Sequence, residues 1–399
     1  PLPYCGKRTG NACSVVTFSS GHTTSTRLEG FTVTGGAGLV QTGAVNHVAG
    51  GGVYVFSSPT IINNVITNNV LSGNQPRYKG AGVYVGAVGS PVITGNTITS
   101  NRAVPGPGTN SALTYGYGGG IWVNFNAGPV ITNNIIQGNR AGDPNAAYSL
   151  GNGGGIFIRP GDANHPGPVV DRNLIADNTT VSKGGGVSLN SQPNTMALAV
   201  VTNNVIVGNI ADWNGGGVYT YFNKSSTINN TITDNTAYLG GGLYTGQSEA
   251  TLPVKITNNI IEGNHLRAFG DGGGIYTLDL NPTFDPIISY NDLIGNDKNN
   301  VAGEQTDATV IGTNGNFSAN PLFVNKAARD FHLDPNSPAI DRATATGAPP
   351  VDRDNRTRGV DGNGVPNNPM PGDVDVGAYE LAPACIPALE VCDGLDNNC

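Results

Sequence analysis

GGGIWVNFNAGPVITNNIIQGN, residues 118–139, holds the pattern that decides the fold. A glycine cluster leads into the short apolar run Ile121-Trp122-Val123, with Ile121 and Val123 on one face, and Pro129 restarts the chain after a loop. Ile131, Asn134, Ile136 and Asn139 follow, the last three at offsets of three, five and eight from the first. The pattern recurs eight times. Its glycine clusters begin at Gly50, Gly80, Gly118, Gly153, Gly184, Gly215, Gly240 and Gly272. They are answered by the pairs Asn64/Asn69, Asn96/Asn101, Asn134/Asn139, Asn173/Asn178, Asn204/Asn209, Asn230/Asn235, Asn259/Asn264 and Asn291/Asn296. Successive clusters lie 25 to 38 residues apart, yet the step of five inside each pair never changes. A constant core with variable spacers is what stacked coils produce, because extra residues escape outward as loops.

An aliphatic residue stands two places after the first asparagine in every copy, from Ile66 to Leu293, and three places before it in all but one, where Thr227 stands. Strands this short, separated by turns, cannot pair within one repeat and must pair with the same strand of the next. Parallel sheets running the length of a coil result. Asparagine suits the bends because it tolerates left-handed backbone angles, and its amide can bond the copies above and below. The glycine clusters mark another corner, where positive φ or close backbone approach excludes a side chain. Both sets read as architecture rather than catalysis.

On GGGIYT (272–277) and ITNNIIEGN (256–264) the chain resembles the right-handed parallel β-helix proteins of the pectate-lyase-like superfamily, in their bacterial repeat form. The resemblance covers residues 15 to 300 and implies an all-β solenoid of about nine to eleven coils with an irregular C-terminal cap. It says little of function, because that fold carries lyases, hydrolases, epimerases, tailspikes and adhesins. Val15 to Gly36 looks like the entry coil, with Leu28, Phe31 and Val33 expected inward. The expected division is an N-terminal segment (1–24), the β-helix (25–316), a closing segment (317–381) and a Cys/Asp-rich tail (382–399).

Composition agrees with this reading. Only 12% of the 399 residues are charged, and Gly (59) and Pro (26) together supply 85, which favours β-structure with tight turns. Net charge is −8 and Lys and Arg are scattered, so nucleic acid is excluded as a partner and no long-range field steers an anionic polysaccharide. No apolar run is long enough to span a membrane. The chain starts at Pro1 without Met and shows no signal peptide, so it reads as a processed or partial product. Cys5, Cys13, Cys385, Cys392 and Cys399 all lie near the ends, which fits disulfides in an oxidising, extracellular setting; the odd count leaves one over.

Past Asn296 the rhythm stops. Asn320 to Ala343 and Asp373 to Glu380 resemble the segment that closes many secreted bacterial β-helix proteins, and its expected role is to cover the last coil, whose strand edges would otherwise template aggregation. Between the two stretches, Asp352, Asp354, Asp361, Asp373 and Asp375 offer hard oxygen ligands at loop spacing, which suits Ca²⁺; the alternative is a polar loop pairing with Arg353, Arg356 and Arg358. The tail CDGLDNNC resembles a short metal-binding repeat, with Asp393 and Asp396 as its candidate ligands, and a disulfide knot explains it equally well.

Glycoside cleavage needs two carboxyl groups roughly 5 to 9.5 Å apart, which in stacked coils means Asp or Glu at equivalent positions of adjacent repeats. None is visible, and Asp271 with Asp279 is the nearest approach. The five histidines are dispersed. Instead the glycine clusters are followed by Tyr54, Tyr84, Trp122, Phe157, Ser188, Tyr219, Tyr244 and Tyr276, an outward aromatic stripe. Six of these, Tyr84, Trp122, Phe157, Tyr219, Tyr244 and Tyr276, are candidate glycan-stacking residues; the competing reading is that they only cover cross-strand neighbours. The expected function is a secreted or surface-exposed structural protein, an adhesive stalk or a fibre growing end to end, without catalysis. The rival is a lyase or hydrolase of an extracellular glycan.

Overall fold

In the computed structural model the described residues are 13–42, 46–71, 75–86, 88–104, 114–145, 149–190, 198–221, 224–246, 253–278, 285–359 and 373–381. Three long parallel sheets run side by side along one axis. Sheet A has ten strands, from Val16–Phe18 to Val301–Gly303, the eight between these two each entered from a glycine cluster. Sheets B and C have nine each, beginning at Arg27–Glu29 and Thr32–Thr34. Register is strict: Tyr84 faces Trp122 in sheet A, Ile93 faces Ile131 in sheet B and Ile98 faces Ile136 in sheet C. The nine turns of the coil that carry all three sheets fall within the expected number.

One apolar core fills the rod, built from the residues predicted to point inward, such as Ile121, Val123, Ile131 and Ile136, none of them solvent-accessible. Leu28 and Val33 join it. Phe31 does not, being 59% exposed. It sits at the bend between two strands, where its N–H donates to Asn64 Oδ1 and its carbonyl accepts from Val65 N–H, so its side chain turns outward.

The asparagine pairs form two buried files, one at the sheet B–C corner and one after sheet C. Asn134 is typical. Its Nδ2 donates to Ile93 O in the coil before (2.8 Å), to Thr132 O (2.9 Å) and to Asn173 Oδ1 in the coil after (3.0 Å). The first file runs unbroken through Asn64, Asn96, Asn134, Asn173, Asn204, Asn230, Asn259 and Asn291, and ends on Asn316. These asparagines do not take the left-handed angles themselves, contrary to the sequence expectation. The preceding residue does: Asn63, Asn133, Asn203, Asn229 and Asn258 have φ between 54° and 60°. The bend is made one place earlier so that the ladder amide can turn inward. The glycine corner meets both expected conditions. Gly153 has φ +67°, and a Cβ on Gly155 would lie 2.7 Å from Gly186 O and 3.0 Å from Asn178 Nδ2.

Closure of the last coil differs from expectation. The short helix Asp307–Val310 lies there, with Val310 joined to the core. Phe317 pairs with the last strand of sheet C beside Asp292, and the rest of residues 317–359, with 373–381, forms a clasp along the outer flank of that sheet. Outward Val65 and Ile135, in the second and fourth coils, are 40% and 41% exposed, whereas Val205 and Ile260, in the sixth and eighth, are 1% exposed. Phe331 and Tyr379 of the clasp pack on Val205 and Val207, and Leu333 and Ile340 on Ile260. Polar contacts then fix the position. Arg329 forks onto Asp177 with two bonds of 2.7 Å, and Lys326 reaches Glu262 (2.5 Å) and Asp234 (3.1 Å). The outward left-handed asparagines hold its main chain: Asn203 donates to Val351 O, Asn229 to Asp375 O and Asn258 to Thr344 O.

Candidate functional site

The aromatic stripe points away from the core, as its alternation requires, but it is not an open platform. Neighbouring coils set the rings face to face: Tyr54 and Tyr84 are 4.8 Å apart at 1°, Tyr84 and Trp122 4.7 Å at 12°, Tyr219 and Tyr244 5.2 Å at 16°. Tyr84, Trp122, Phe157, Tyr219 and Tyr244 are buried, and Tyr276 is half-buried. Faces that a sugar ring would need are occupied by the next ring, because the coil spacing of about 4.8 Å is close to aromatic stacking distance. Most of the stripe is therefore packing.

Ser188 breaks the run between Phe157 and Tyr219. Beside that break lies a pocket of about 320 Å³, in the crease between sheet A and a five-stranded side sheet. The side sheet contributes Arg77 and Lys79 from Arg77–Lys79, Tyr117 from Thr114–Tyr117 and Asn152 from Ser149–Asn152. Sheet A contributes Trp122 and Phe157, with Arg159 and Asn190 at its strand ends. Period-two alternation around buried Tyr78 sends Arg77 and Lys79 to the same side.

Lys79 Nζ stands 4.8 Å over the Trp122 ring, and Arg77 lies 5.9 Å over Tyr115. Burial, followed by the charges of Arg77 and Arg159, pushes the Lys79 ammonium down to about 8. Burial also lowers Arg159 and pushes the Tyr117 phenol up to about 12. Among the described residues no carboxylate lines the pocket, and none pairs with Arg77, Lys79 or Arg159. Trp122 Nε1 and Asn152 Oδ1, on its wall, are buried without a hydrogen-bond partner. Such atoms are costly unless something completes them. Of the six stripe residues singled out as glycan contacts, only Trp122 and Phe157 reach this pocket.

Three of the predicted cation ligands, Asp352, Asp354 and Asp375, make hydrogen bonds within the clasp. Asp352 is fully buried and accepts from the main-chain N–H groups of Asp354, Arg356 and Glu380. Asp375 accepts from Asp341 and Leu381 N–H, and Asp354 meets His332 Nε2 at 2.7 Å. Asp373 is half-buried at the start of the returning chain. Among the described residues no three His, Cys, Asp or Glu side chains converge on one point that could hold a metal. Asp361, Asp393 and Asp396, with Cys5, Cys385, Cys392 and Cys399, lie outside the described residues, as does Asp279; Cys13 is the one cysteine inside them. Asp271 pairs with Lys298 at 3.3 Å. One carboxylate pair on adjacent coils does exist, Asp234 with Glu262, but Lys326 of the clasp bridges the two. Sequence inspection missed it because one carboxylate is at a corner and the other in a strand.

Among the described residues no helix is long and apolar enough to cross a membrane. No curated protein and no solved structure matches the chain. The family model described as the right handed beta helix region matches residues 10–252 and again 119–321, the stretch over which the three parallel sheets stack. The chain belongs to the right-handed β-helix family.

Proposed function

We propose that the chain is the rod of a secreted or surface-exposed bacterial protein that holds an extracellular glycan in the crease pocket without cleaving it. The observation that carries this reading is a concave site walled by aromatic, amide and cationic side chains, with no carboxylate among its lining residues. Aromatic walls with a few convergent polar groups are what small-ligand sites are made of. Trp122→Ala is expected to reduce retention on a glycan array by about tenfold or more, as loss of a central aromatic contact does. The Tyr84 and Phe157 rings remain, so the fold should persist by circular dichroism. Equal retention of parent and variant on every glycan would end this reading.

The second reading, polysaccharide lyase, is favoured by one observation: Lys79, held near 8 beside two arginines, readily gives up its proton to become the neutral amine that can act as a base. Release of unsaturated sugar from a polyuronate, lost in Lys79→Ala, would establish it over the first. For assembly, the helix Asp307–Val310 over the last coil supports a single rod, because an incoming coil would have to displace it. Non-reducing gels and electron micrographs are expected to show isolated rods; a disulfide-linked ladder or long fibres would favour end-to-end growth through the terminal cysteines.

A further inference from the structure

Three cations stand around one small pocket in a chain of net charge −8. Grouping Arg77, Lys79 and Arg159 without a carboxylate costs free energy through mutual repulsion and desolvation, and a bound anion is what offsets it. The volume of about 320 Å³ argues against a bare inorganic ion, which would fill only a small part of it. Trp122 Nε1 offers a donor and Asn152 Oδ1 an acceptor, the complement of a ring carrying both hydroxyl and ether oxygens.

We infer that the pocket between sheet A and the side sheet is specific for an acidic sugar, a ring bearing a carboxylate or sulfate that Arg77, Lys79 and Arg159 clamp against a wall to which Trp122 and Phe157 contribute only their edges. This rests on the glycan-holding reading above and narrows it. Forked guanidinium contacts suit the planar carboxylate or the sulfate oxygens, and the ammonium supplies a third charge-assisted bond. Lys183, 5.3 Å over Tyr219 on the far side of the Ser188 break, is a further cation along the same stripe.

Titration calorimetry on the full chain at about pH 7 decides the matter with four probes: a uronic-acid trisaccharide, a sulfated disaccharide, a neutral trisaccharide and inorganic sulfate. At least one acidic sugar is expected to bind about tenfold or more tighter than the neutral one. Arg77→Gln with Lys79→Gln should bring the ratio of acidic to neutral binding down to about one. Acidic binding should also fall as pH rises past about 8. Lys79 then loses its proton, while Arg77 and Arg159 keep theirs and the Tyr117 phenol, at about 12, stays neutral. Equal affinity for neutral and acidic sugars would overturn the specificity and leave glycan holding intact. Inorganic sulfate binding with no sugar binding, or silence with all four probes, would overturn both. A circular-dichroism melt of the double variant shows whether it has kept its fold. Should it unfold, the parent's acidic-to-neutral ratio and its pH dependence still decide.

Discussion

Replacing Asn204 with leucine is expected to lower the unfolding free energy of the rod by about 3–5 kcal/mol. The side chain is fully buried and makes five hydrogen bonds. Oδ1 accepts from Asn173 N (2.9 Å) and Nδ2 (3.0 Å), and Nδ2 donates to Val170 O (2.9 Å), Thr202 O (2.8 Å) and Asn230 Oδ1 (3.0 Å). Leucine fills similar space but returns none of them. It leaves the Asn173 N–H and at least one carbonyl unpaired in the interior, each costing about 1–3 kcal/mol. Asn63→Gly is the control, since Asn63 is exposed with φ 55° and glycine takes that angle freely; it should change stability by less than about 0.5 kcal/mol. Urea unfolding followed by far-UV circular dichroism measures both. Equal shifts in the two variants would show that the ladder is not what staples the coils.

Arg358→Ala is expected to release the clasp. Arg358 and Glu380 have side chains only 1% exposed, and the guanidinium donates to Glu380 Oε2 (3.0 Å), Asn203 Oδ1 (2.9 Å), Gly377 O (2.9 Å) and Asp375 O (3.3 Å). Removing one partner of a buried pair costs about 3–5 kcal/mol because the other charge is left uncompensated. Arg358→Lys should rescue little, since an ammonium cannot span four acceptors in a fork. The loss should be local: residues 317–359 become open to protease while the sheets keep their circular dichroism. Arg358→Met combined with Glu380→Leu should restore much of the protection. Cleavage no faster than in the parent would refute the clasp's dependence on this pair.

What was legible in the sequence follows from what repeats. The ladder asparagines and the inward aliphatics stand at fixed offsets because every coil solves the same packing problem, so register could be read before any coordinate was known. The crease pocket was not legible. Arg77, Lys79, Tyr117 and Asn152 come from strands of the side sheet that the repeat does not contain, and only stacking brings them over Trp122 and Phe157. The RYK triplet around Tyr78 was the one trace, two cations on one side of a strand. The clasp was legible as a module and misplaced as a cap, because its anchor Arg358 meets Asn203 across 155 residues. Val207 did carry a hint, standing where the uncovered coils have Thr67, Thr99 and Gln137; Val205 and Ile260 did not, since Val65 and Ile135 are as apolar where nothing covers them.

The clasp also changes how the rod would answer a pull. Inter-coil hydrogen bonds lie along the axis, so tension between the ends loads them one rung at a time, as in unzipping. From the first coil to the fourth the clasp does not run beside those rungs. From the fifth coil, at Asp177, to the eighth, at Asn258 and Glu262, the clasp is a second strand of the rope, tied at Arg329, Lys326 and Thr344. A molecule tethered in flow would yield first at its entry coils and last where the strap lies, and the crease pocket sits at the junction between the two.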